Sequence, residues 1–185
     1  MRGNGIDTIV RLTAVLVLCL LAAGCGGSSG GSPSAHGSTS AGRARSAFVS
    51  GYQRFERATN LLATAITPLE STITASAGNA AEMSKAFVSL GRNERALAGD
   101  WHPALMAFES LKPPRDLASV FDATTTDAGK VYASLRTIST VTRGSSGTLN
   151  AKQFKAGGKD LQAFATRARA LAADLADFDK RLGIG

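Results

Sequence analysis

From Arg43 onward, large apolar side chains recur at alternating steps of three and four residues, the spacing that returns a side chain to one face of an α-helix. Phe48, Tyr52, Phe55, Thr59, Leu62, Ile66, Leu69 and Ile73 form the first series, with a single polar member. Met83, Phe87, Leu90 and Leu97 form a second, which puts the carboxylate of Glu94 at a nominal core position. Leu117, Phe121, Thr124, Ala128, Val131, Leu135 and Ile138 form a third, and Phe154, Leu161, Phe164, Ala168, Leu171, Leu175, Phe178 and Leu182 a fourth. A strand would alternate at every second residue, so the pattern predicts an all-α chain. Aromatics at 6%, with abundant Ala, Ser and Thr, also suit helices better than a β-sandwich.

The ends of these segments carry their own signals. Pro68 lies inside the first and is expected to bend it, and Gly78 to end it. Asn79 followed by Glu82, and Asn150 followed by Gln153, have the spacing of capping boxes and mark two helix starts. Gly99-Asp100-Trp101-His102-Pro103 interrupts the second segment, either as a kink or as a break before a short helix carrying Leu105, Phe108 and Leu111. The kink is the preferred reading. Lys112-Pro113-Pro114 must stop that helix, with Pro114 suited to open the next, and Gly144-Ser145-Ser146-Gly147 reads as a loop. Gly157-Gly158 weakens the first turns of the fourth helix and allows a start after them. Four amphipathic helices with short connections over residues 43–185 predict an up-and-down antiparallel four-helix bundle.

The N-terminal region is different. Arg2 and Arg11, partly offset by Asp7, precede the uncharged apolar run Leu12 to Ala23, too short for a spanning helix and of signal-peptide length. Leu21-Ala22-Ala23-Gly24-Cys25 follows, and it resembles the lipobox of bacterial lipoproteins. The resemblance implies that residues 1–24 are a signal peptide and that Cys25, acylated, becomes the first residue of the mature chain. Two or three acyl chains would hold a protein on a membrane far more firmly than one. Residues 25–42 are then the lipidated cysteine and a Gly/Ser tether with no large apolar side chain, expected to be flexible with a root-mean-square reach of roughly 20–25 Å. Cys19 leaves with the signal and Cys25 is consumed by lipid, so the mature chain is expected to fold without a disulfide.

Signatures of catalysis and of cofactors are not found in the sequence. Two overlapping Gly-x-Ser-x-Gly matches near Ser28 and Ser29 fall in the low-complexity tether, away from any strand-to-helix turn. None of the glutamates begins Glu-x-x-His, and there is no Cys-x-x-Cys-His. His36 lies in the tether, and His102 with Glu109 would supply at most half of a metal site. The reading is therefore a non-enzymatic protein with no cofactor and no metal. A formal charge of +7 is spread along the chain with acids between the bases, which argues against nucleic acid as a partner. Two basic features remain as candidates. Lys152, Lys155 and Lys159 form a stripe on the fourth helix suited to an anionic surface, and Arg54 with Arg57 and Arg92 with Arg95 are i, i+3 pairs. Trp101, His102 and Phe108 at the helix interruption are the candidate interface or groove.

The lipobox, the tether and the Leu111-Lys112-Pro113-Pro114 break between the second and third helices together resemble the small helical lipoproteins of actinobacteria, and 14 Arg against 7 Lys fits such a GC-rich source. The resemblance implies the extracytoplasmic face of the cell membrane and supplies no activity. The expected function is an envelope binding or interaction module contacting a protein, lipid or wall polymer. The alternative is a carrier or sensor of a small apolar ligand, held where the layers at Thr59, Thr124, Ala128, Gly157 and Ala168 leave room.

Overall fold

The structure is a computed structural model that describes residues 40–76, 79–143 and 149–184. The apolar N-terminal run, Cys25, His36, Gly78 and the Gly144–Gly147 segment lie outside the described residues. Among the described residues there are four helices: α1 (Ser40–Ala75), α2 (Ala80–Glu109), α3 (Ala118–Val141) and α4 (Ala151–Leu182), with a 3-10 turn, Arg115–Leu117, before α3. No strand occurs among the described residues, and none of these helices is long and apolar enough to cross a membrane.

Side-chain contacts give the directions. Phe55 stacks on Phe108 at 4.3 Å, which sets the first half of α1 beside the end of α2. Phe108 meets Phe121 at 4.9 Å, the end of α2 beside the beginning of α3. The Arg167 guanidinium donates to the Ser134 hydroxyl across α3 and α4, and Phe48 of α1 stacks on Phe178 of α4 at 5.9 Å. Neighbouring helices are antiparallel and α4 returns to α1, so the chain forms an all-α, up-and-down four-helix bundle. Its core is the apolar series of the sequence, with Tyr52, Phe87, Ala128, Leu135, Ile138 and Phe178 wholly inaccessible.

Several helix ends are sharper than the sequence indicates. α1 begins at Ser40, so the last three residues assigned to the tether are helical. Pro68 and Pro103 both sit inside continuous helices, and no separate helix forms after Gly99. Each proline removes the amide that would meet the carbonyl four residues earlier. Those residues, Thr64 and Gly99, are exposed, so water can take the freed acceptors. Pro114 does not open α3 but precedes the 3-10 turn, with α3 starting at Ala118.

The α4 capping box is complete: the Gln153 amide donates to Asn150 Oδ1 at 2.9 Å, and the Asn150 amide to Gln153 Oε1 at 3.0 Å. That cap holds the start at Ala151 despite the two glycines. At Asn79 the motif is one-sided. Its side chain accepts from the Ala81 and Glu82 amides, while its own amide donates to the Ser76 carbonyl and Glu82 pairs with Lys85. α4 ends at Gly183 in the left-handed conformation (φ 70°), where the Ile184 amide reaches the Asp179 carbonyl at 3.1 Å.

Candidate functional site

The residues at the helix interruption separate into interior and surface. Trp101 and Phe108 are 2% and 1% exposed, so neither offers an interface. The Trp101 indole donates to Thr59 Oγ1 at 3.2 Å, which fills the layer at Thr59 and satisfies the only polar atom of the ring. Phe108 is the centre of an aromatic cluster with Tyr52, Phe55, Phe121 and Phe178. Of the three candidate residues only His102 reaches the surface, and it stacks on Tyr132 of α3 at 4.5 Å with the rings 11° apart.

The layer at Gly157 is occupied too. A Cβ on Gly157 would stand 3.0 Å from the Phe87 ring, so Phe87 uses the space the glycine leaves. Thr124 and Ala128 are wholly inaccessible, and the Thr124 hydroxyl donates back to the Val120 carbonyl at 2.7 Å. At Thr59 and at Gly157 a large side chain of one helix faces a small residue of another, the arrangement that packs a bundle without voids.

Glu94 occupies the core position that its place in the series assigns it: it is wholly buried in α2. Burial of a carboxylate is costly without polar company, and the sequence signal for it was its place in the Met83–Leu97 series. A second polar feature joins α1 to α4. The hydroxyl of Tyr52 donates to Asp179 Oδ1 at 2.7 Å, and Leu175 O lies 3.1 Å from it. Burial, reinforced by this hydrogen bond to a carboxylate, pushes the Tyr52 phenol far above the usual range, so it remains a donor. Burial followed by the Asp179 charge raises the Glu56 carboxyl.

The α3–α4 seam carries charges of both signs. Lys130 pairs with Asp127 at 2.5 Å, Arg181 with Asp177 at 2.8 Å, and Arg167 reaches Ser134 and the Lys130 carbonyl. Asp174 sits among them with Oδ2 buried and without a hydrogen-bond partner among the described residues. Burial, with Asp127 and Asp177 adding to it against Lys130, raises its carboxyl from the usual 3.8. A raised carboxylate costs stability while ionised, and the cost disappears as pH falls through its folded value to below 3.8. Asp174→Asn is therefore expected to raise the melting temperature at pH 7 by about 1–3 °C, a small effect because the residue is only half-buried. The gain over wild type should vanish near pH 3. A gain that persists there would remove the charge explanation.

Lys152, Lys155 and Lys159 are all exposed and lie on the outward face of α4 near its start. That end is opposite to the one where α1 begins, since Phe154 packs against Phe87 near the start of α2. No group of three metal-ligating side chains occurs among the described residues, and Glu109 is exposed. The feature missed in the sequence is the α2–α3 seam. Arg136 lies over the Tyr132 ring, 6.0 Å from its centroid, beside the His102 stack. His102 and Tyr132 are 30 positions apart, and no local spacing announces their meeting.

Comparison of the chain with family models, curated proteins and solved structures gives no match.

Proposed function

We propose that this chain is a lipid-anchored protein of the extracytoplasmic face of the cell membrane, whose helical bundle is a non-enzymatic binding module. The observation that carries the reading is the order apolar run, Leu21-Ala22-Ala23-Gly24-Cys25, Gly/Ser tether, folded domain. Each part alone is common, but only an anchored domain needs them in this sequence. The placement of recognition on the surface is supported by the filled layers at Thr59 and Gly157, which take away space a carried apolar ligand would use.

The test is direct. Membranes from cells expressing the chain should hold it in the detergent phase, and mass spectrometry should find Cys25 as its acylated first residue. Cys25→Ala should remain unprocessed or be released. A processed, detergent-phase Cys25→Ala protein would overturn the anchor.

A further inference from the structure

We propose that the seam between α2 and α3 binds a phosphate-bearing polyanion, with Arg92, Arg95, Arg136 and Arg143 as its contacts. The proposal rests on the binding-module reading given above, but not on the lipid anchor.

Two contacts fix which sides of the helices face each other. His102 stacks on Tyr132, and a Cβ on Gly91 would run into Thr142. Helical register then puts Arg95 one turn beyond Gly91 on the same flank of α2, with Arg92 beside it at the outer edge. On α3, Arg136 is one turn from Tyr132, and Arg143 lies just past the end of the helix, in the turn after the Thr142 cap that packs on Gly91. All four arginines are exposed. Because the helices are antiparallel, Arg95 and Arg136 fall at nearly the same level.

Acids do not balance this seam as they do the α3–α4 seam. On these two helices Glu82 and Asp127 pair with Lys85 and Lys130. Asp100 lies off the seam by register, while Glu109 and Asp122 are at the other end of the bundle, about 20 Å from Arg95 along the axis. Four guanidinium groups on one inter-helix line repel each other, and a bound anion relieves that repulsion.

The seam is also built for contact. Stacking of Tyr132 on His102 steadies the ring under Arg136, which limits the freedom that the guanidinium loses on binding. Space around Gly99 and Gly129 is open: a Cβ on either would meet nothing within 4 Å. Arginine forks match phosphate oxygens two at a time, which lysines do not. Arg136 is about 7.5 Å along the axis from Val141, the last residue of α3, and Arg143 lies beyond that end, a spread too wide for one phosphate group and suited to a chain of them.

Full-length protein in neutral detergent, titrated with labelled long-chain polyphosphate, tests this. Binding should occur at low salt and weaken as ionic strength rises, since screening acts over about 8 Å at physiological salt. Arg95→Gln with Arg136→Gln should weaken it at least tenfold without lowering the melting temperature. Lys152→Gln, Lys155→Gln and Lys159→Gln together should weaken it less than threefold, although more charge is removed. No binding at low salt would overturn the proposal, as would a larger loss in the lysine variant than in the arginine variant. Displacement by short-chain phosphatidylglycerol at equal phosphate would assign the seam to lipid headgroups and overturn the polymer. The Cys25 fractionation is read separately, so failure of the seam and failure of the anchor are distinguishable.

Discussion

Phe108→Ala is expected to lower the melting temperature by about 10–15 °C, the largest loss from any single truncation in the bundle. Phe108 is 1% exposed and touches rings from all three other helices: Tyr52 and Phe55 of α1, Phe121 of α3 and Phe178 of α4. Truncation of a buried phenylalanine costs about 3–5 kcal/mol, the upper part of the range where neighbours cannot collapse into the void. Here the neighbours are planar rings locked against each other, with Tyr52 further held by Asp179, so collapse is poor. For a domain of this size each kcal/mol moves the midpoint by about 2–4 °C. Thermal melts followed by circular dichroism would measure it, and a loss below 4 °C would mean that the cluster repacks.

The second large effect has the opposite origin, too little room. A Cβ on Gly91 would overlap Thr142 Oγ1 and stand 2.7 Å from its Cγ2 and 2.8 Å from its Cβ. Thr142 is buried at the end of α3, and its hydroxyl donates to the Ser139 carbonyl at 3.3 Å, so it cannot swing into solvent. Gly91→Ala should cost about 1–3 kcal/mol through overpacking, a fall of roughly 5–10 °C, even though alanine is the better helix former. Thr142→Ala in the same chain should recover part of the loss. Gly99→Ala is the control with the other sign. It is exposed with nothing within 4 Å of the added methyl, so it should stabilise by about 0.5–1 kcal/mol. Equal effects at the two glycines would refute the steric account.

The difference between these two glycines marks the limit of what the sequence carries. The three-and-four spacing located the four described α-helices and most of their core residues, because that information is local and repeated over many turns. Asn150 and Gln153 located a helix start for the same reason. Gly99 and Pro103, in contrast, left a kink and a break both open from local signals, and the helix continues through both, with Trp101 and Leu105 packed into the core around them. Tertiary contact outweighs a local preference of about 1–3 kcal/mol when the flanking side chains are buried. Trp101 and Phe108 looked like surface candidates because their burial depends on Thr59 and Phe55, more than 40 positions away. The α2–α3 arginines had a partial signal, the Arg92–Arg95 pair, but Arg136 and Arg143 join them only once the helices are paired.

The direction of α1 also has a mechanical meaning. Residue 40 and the aromatic cluster are at one end of the bundle, and the arginine seam occupies the half toward the other. A load applied at that far half and resisted through the N-terminal segment would draw α1 lengthwise past α2 and α4. Sliding of this kind must break the Phe48–Phe178 stack, the Tyr52–Asp179 hydrogen bond and the Trp101–Thr59 bond together, whereas peeling would break them one by one. Under such a load a helix of 36 residues, about 54 Å long, would act as a tension member, and the cluster nearest its beginning would be the clamp that takes the strain.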